Sequence, residues 1–97
     1  MFRHCVMFKW ADGAGDAVKA EIAAGLNRLA TLDAVTSYHH GPDLGVADGN
    51  WDYAIVGDFA DEAAYRVYAT EDGHLSLIND LIKPNISARA AVQYQLA

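Results

Sequence analysis

Tyr68 and His74, six positions apart in the stretch YATEDGH, are the residues of this chain best suited to proton-transfer chemistry. A neutral imidazole is a competent general base near pH 7. A phenol, with an ordinary pKa of about 10, stays protonated there and can donate to a developing oxyanion. In an unbroken helix, six steps of about 100° leave the two side chains roughly 120° apart around the axis. A pair therefore forms only where Thr70-Glu71-Asp72-Gly73 interrupts the helix. Thr70 is expected to cap a second half-helix, Glu71 and Asp72 suit its positive end, and Gly73 softens the same spot. From His74 the apolar residues Leu77, Ile78 and Leu81 follow at i+3, i+4 and i+7, which puts the histidine on an inward stripe. Burial there favours the neutral ring, the two acids favour the cation, and the sequence leaves that balance open.

The elements that must position this pair read as β-α-β-β-α-β. Phe2 to Trp10 alternates, with Phe2, His4, Val6, Phe8 and Trp10 on one face and Arg3, Cys5, Met7 and Lys9 on the other. Asp16 is the expected N-cap of a helix whose buried stripe is Val18, Ile22, Leu26 and Leu29. Gly25 lies on or beside that stripe and costs about 1 kcal/mol relative to alanine, which points to close packing or to space left for a ligand. Ala34 to His40 is a second strand, followed by turn residues from Gly41 to Asn50. In the third strand, Asp52 to Phe59, Tyr53, Ile55, Gly57 and Phe59 oppose Asp52, Ala54, Val56 and Asp58. A short helix from Asp61 to about Tyr68 or Ala69 precedes one from about Glu71 to Lys83, which Pro84 ends. Ile86 to Leu96 closes the chain as a strand with Ile86, Ala88, Ala90, Val92, Tyr94 and Leu96 on one side. This order predicts a single α+β domain over 1-97: a ferredoxin-like four-stranded antiparallel sheet with helices on one face. Cys5, Met7, Ala54 and Val56 on the uncovered face are too apolar to prefer water, so a homodimer packed through the open sheet face is expected.

If the helix-side faces of the first and third strands look toward the helices, His4 and Tyr53 join Tyr68 and His74 around one cavity. Val6, Phe8, Ile55, Leu26 and Leu77 are its expected apolar lining. A greasy cavity with a few polar tips is an ordinary small-molecule site, suited to a hydrophobic or aromatic compound. A buried histidine or tyrosine is as readily a hydrogen-bonded core residue. Other arrangements carry less chemistry. His39 and His40 point to opposite faces of a strand and cannot share a metal ion, so they read as solvent-edge histidines. Cys5 beside His4 fails as a dyad for the same reason. The Gly41 to Asn50 segment matches neither a phosphate loop nor a calcium loop. Trp10 and Trp51 read as anchors of the sheet ends, and with no flavin, haem or nucleotide signature no cofactor is expected.

Composition narrows the partners. The net charge is -6, and Arg3, Lys9, Lys19, Arg28, Arg66, Lys83 and Arg89 are scattered, which argues against nucleic acid and anionic membranes. A lone cysteine gives no internal disulfide and fits a reducing, cytoplasmic setting. Arg3, His4 and Lys9 break the amino-terminal apolar run, so no signal-peptide core is expected, and no stretch approaches the roughly 20 residues of a membrane span.

Arg3-His4-Cys5-Val6-Met7-Phe8-Lys9-Trp10, Trp51-Asp52-Tyr53-Ala54, the Tyr68 to His74 spacing and Ala91-Val92-Gln93-Tyr94 together resemble the stress-responsive dimeric α/β barrel (Dabb) family over nearly the whole chain. The resemblance implies a homodimer whose two sheets form a barrel. It also includes a plant polyketide cyclase that catalyses an intramolecular aldol condensation without metal or organic cofactor. The catalytic tyrosine and histidine of that enzyme fall on Tyr68 and His74, and its first-strand pocket histidine falls on His4. Another of its pocket histidines corresponds to Tyr53, and the His-Pro before its catalytic histidine corresponds to Glu71-Asp72. What the resemblance implies is a cofactor-free cyclase or isomerase of carbonyl-bearing compounds, with His74 as base and Tyr68 as donor. A receptor or stress-response dimer without chemistry is the alternative, and a cofactor-free monooxygenase follows from fold analogy.

Overall fold

The alternation of the first strand decides the layering. In the computed structural model, which describes all 97 residues, β1 (Phe2–Trp10) buries His4, Val6 and Phe8 against the helices. β1 lies between β3 (Tyr53–Phe59) and β4 (Ile86–Gln95), and β2 (Ser37–Pro42) forms the far edge. The order is β2-β3-β1-β4 with every neighbouring pair antiparallel, which is the expected ferredoxin-like sheet. The helices α1 (Asp16–Leu29), α2 (Glu62–Ala69) and α3 (Asp72–Ser76) are followed by a π-helical turn (Leu77–Ile82) and the short α4 (Lys83–Asn85). No helix is long and apolar enough to cross a membrane.

Phe8, Phe59, Ile22, Leu26 and Leu29 are the fully buried side chains at the centre of the core. Each contributes about 1.5–3 kcal/mol by leaving water. The α1 stripe follows its 3.6-residue period, but the N-cap is Gly15, with Asp16 inside the first turn and no side chain capping. β2 starts at Ser37 instead of Ala34, because the Val35 amide donates to the Leu32 carbonyl (3.0 Å) in a turn that closes α1. It runs on to Pro42, a residue tolerated because this is an edge strand.

Two departures from regular structure shape the functional region. The β1–β4 register shifts between Lys9, opposite Ala88, and Trp10, opposite Ile86. The bulge separates Ile86 from the alternation that puts Ala88, Ala90, Val92 and Tyr94 on the open face, and sends Ile86 to the helix side with Arg89 and Gln93. The open face opposes Cys5 to Val56 and Val92, and Met7 to Ala54 and Ala90. It forms a wholly apolar depression with Met7 and Val92 exposed. The second departure is the π-helical turn, where i→i+5 bonding brings Ile82, not Leu81, alongside Leu77 on the inner surface.

Candidate functional site

The break between α2 and α3 is built differently from the expected threonine cap. Thr70 ends α2, its hydroxyl donating to the Arg66 carbonyl (2.8 Å). Glu71 is extended and caps α3, its carboxylate accepting from the His74 amide at 2.7 Å. The same carboxylate is held by Arg28 at 3.1 Å. Gly73 has no unusual backbone angle; a Cβ there would run into the Arg28 guanidinium, so the glycine provides space, not flexibility.

The restart turns the His74 ring back over the end of α2. Its Nδ1 lies 3.0 Å from the Ala69 carbonyl. A carbonyl only accepts, so Nδ1 carries the proton and, in the neutral ring, Nε2 keeps its lone pair. The ring rests against Tyr68, with centroids 4.3 Å apart and planes tilted by 40°. They touch as rings, with no hydrogen bond from phenol to imidazole. Burial, the largest influence, lowers the His74 pKa despite the opposing Ala69 and Glu71 contacts, so desolvation decides the balance in favour of the neutral base.

The Tyr68 hydroxyl lies 2.8 Å from that of Tyr38, and both rings are buried. Burial pushes the Tyr68 phenol up to about 12 and raises Tyr38 further, so both are protonated near neutrality. With Tyr38 donating to Tyr68, the Tyr68 proton is free for the cavity. The Tyr38 ring lies over Gly57, where a Cβ would come within 3.1 Å of it. His4 is only 5% exposed, and its Nδ1 accepts from the Gln93 amide at 2.9 Å. Neutral His4 then presents Nε2–H. Burial, with the charge of Arg89 and the neighbouring His74, lowers its pKa to about 4.

These groups border a cavity of about 210 Å³ between sheet and helices, lined by Val6, Phe8, Leu26, Ile55 and Leu77 as well as His4, Tyr68 and His74. This is smaller than the roughly 300–1,000 Å³ of drug-sized sites and suits a small ligand. Gly25 fits against its wall, a Cβ there falling 2.6 Å from a Leu77 methyl. Tyr53 does not join them. Its hydroxyl is taken by His40 Nδ1 at 2.6 Å, and it borders a larger trough of about 750 Å³ beside the β2–β3 loop. No histidine and no basic side chain lines that trough.

His40 is likewise no solvent-edge residue. It bridges Tyr53 and Asn27 (2.6 Å to Asn27 Oδ1), tying β2 and β3 to α1, while His39 faces the opposite side as expected. Trp10 packs edge-on against Phe8 and Tyr53, and its amide donates to Asp52 at 2.9 Å. No three of His, Cys, Asp and Glu gather as a metal ligand set. The residues that sequence reasoning missed are Tyr38, Gln93, Lys83 and Arg89. The pairing of Tyr38 with a side-chain-free Gly57 is a readable signal, whereas alternation puts Arg89 on the side of β4 opposite Ala88 and Ala90 without saying which side meets the helices.

A stress-responsive A/B barrel domain model matches residues 2–96. The chain belongs to the Dabb family. Among solved structures, this Dabb chain is similar to a dimeric ferredoxin-like protein of unknown function from Thermobifida fusca, at 32% identity and TM-score 0.90, covering 98% of this chain and 90% of that one. It is similar in fold to a Dabb family protein from Mesorhizobium loti (18% identity, TM-score 0.82, 99% and 96% covered). A hydroxynitrile lyase from Passiflora edulis shares the fold at 19% identity and TM-score 0.84, with 99% and 93% covered. No curated protein matches significantly.

Proposed function

We propose that this Dabb domain is a cofactor-free proton-transfer enzyme of the cyclase, isomerase or lyase type, acting on a small apolar carbonyl compound. The observation that carries this reading is the Nδ1–H bond of His74 to Ala69, which leaves an unprotonated Nε2 at the cavity beside the Tyr68 phenol. In this mechanism His74 Nε2 removes a proton alpha to the carbonyl. The electron pair moves onto the carbonyl oxygen, where Tyr68 O–H and His4 Nε2–H stabilise the enolate. Tyr38, behind Tyr68, supports the donor through its own hydrogen bond. The hydroxynitrile lyase on this fold is in keeping with such a use of the scaffold. The working unit is a homodimer joined through the open sheet face, a reading supported by the apolar depression there and by the dimeric Thermobifida relative.

The test needs no knowledge of the natural substrate. Small apolar methyl ketones in deuterated buffer, followed by proton NMR, should exchange their alpha protons faster with the protein present. His74→Ala should remove the acceleration while the fold persists, and Tyr68→Phe should lower it. The acid limb of the rate should lie below the ordinary histidine range. Equal rates for His74→Ala and the parent protein would refute the base assignment, and a ligand recovered unaltered would make the cavity a receptor.

A further inference from the structure

The chain carries seven basic side chains. Three are ion-paired: Arg3 with Asp58 (2.7 Å), Arg28 with Glu71 (3.1 Å) and Arg66 with Glu62 (2.6 Å). Two lie over aromatic rings, Lys9 on Trp51 at 5.0 Å and Lys19 on Trp10 at 5.4 Å. The two left, Lys83 and Arg89, have neither kind of partner, and both line the cavity that holds His4, Tyr68 and His74. No carboxylate lines it, although the chain has thirteen acidic residues and a net charge of -6.

This distribution is informative because an acidic protein has many carboxylates with which to satisfy a cation, and these two are left open at one place. Both are exposed, so they stand at the mouth while the apolar side chains lie within. An arginine fork matches a carboxylate in two parallel hydrogen bonds, and a lysine adds a flexible point charge. We infer that the ligand is a small apolar or aromatic carboxylic acid, its anionic head held by Arg89 and Lys83 and its body lying among Leu26, Leu29 and Ile82. The inference rests on reading this cavity as a small-molecule site. The volume of about 210 Å³ corresponds to about seven water molecules at about 30 Å³ each, a size suited to one ring or a short chain with its head group outside.

Binding of benzoate, cinnamate and hexanoate, each beside its primary amide, can be measured by calorimetry near neutral pH in low salt. The His4 and His74 ring resonances report by NMR where each probe sits. The acids should bind about tenfold or more tightly than their amides, as charge-assisted pairing implies. In the Arg89→Gln, Lys83→Gln double variant the acid and amide should bind alike, while Arg89→Lys keeps part of the difference. Both positions are exposed, so the variants should fold. Acids and amides binding equally to the parent protein, or a preference that survives the double variant, would overturn the anion assignment and leave the cavity intact. Failure of every probe to bind or to shift either histidine would overturn both.

Discussion

The Tyr38–Tyr68 hydroxyl pair gives an asymmetric and testable set of stabilities. Each hydroxyl is within 2.8 Å of the other, but only Tyr68 borders the cavity. Removing the Tyr38 hydroxyl with Tyr38→Phe takes away the hydrogen bond that Tyr68 accepts but leaves its O–H directed to the cavity, so the loss is an ordinary net hydrogen bond of about 0.5–1.5 kcal/mol. Tyr68→Phe strands the Tyr38 hydroxyl, which is 9% exposed and has no other partner, at a cost of about 1–3 kcal/mol. In the double variant both polar groups are gone and the rings keep their shape, so most of that cost disappears. Tyr38→Phe should therefore stabilise the Tyr68→Phe protein by about 1 kcal/mol or more, a coupling that a double-mutant cycle isolates. Urea unfolding at one fixed protein concentration is the assay, because association makes midpoints concentration-dependent. For a chain of this size 1 kcal/mol moves Tm by about 4–8 °C, so the rescue is readable by heating as well. Additive losses, with the double variant the least stable of the set, would refute the idea that the two hydroxyls satisfy each other.

Three further outcomes follow. His4 has its pKa lowered to about 4 in the folded protein against 6.5 ordinarily, so the unfolded chain binds the extra proton between those values. Its contribution is full above about pH 6.5 and is lost as the pH falls toward about 4. That is a loss of about 2 kcal/mol at about 1.4 kcal/mol per pKa unit, discounted for screening from the cavity side; His4→Gln should flatten this part of the urea-midpoint profile. Gly25→Ala gains about 1 kcal/mol of helix propensity but displaces the Leu77 methyl 2.6 Å away, so stability should change little while the cavity shrinks and cinnamate binding weakens. Val92→Asp, on the exposed apolar sheet face, should shift the protein from dimer to monomer in light scattering without changing its circular dichroism; a persistent dimer would place the interface elsewhere.

The sequence by itself determined the strand faces, the α1 stripe and the order of elements, because these depend on periods of 2 and 3.6 that neighbouring residues impose. It also located the helix interruption at Thr70 to Gly73, where a capping residue, two acids suited to a helix start and a glycine follow one another. It misassigned the cap, because Thr70 and Glu71 are both able to cap and the choice falls to Arg28 on another helix, which holds the Glu71 carboxylate where it also meets the His74 amide. The tertiary structure alone decided that the Tyr53 hydroxyl is occupied by His40, that His74 Nδ1–H donates to the Ala69 carbonyl, and that the Arg89 side of β4, opposite Phe8, is the side that meets the helices. These depend on how the elements pack on one another and on the path the chain takes between α2 and α3, and periodicity carries no information about either. Of the five residues between Tyr68 and His74, sequence could say that the chain must turn; only packing set the turn that laid one ring against the other.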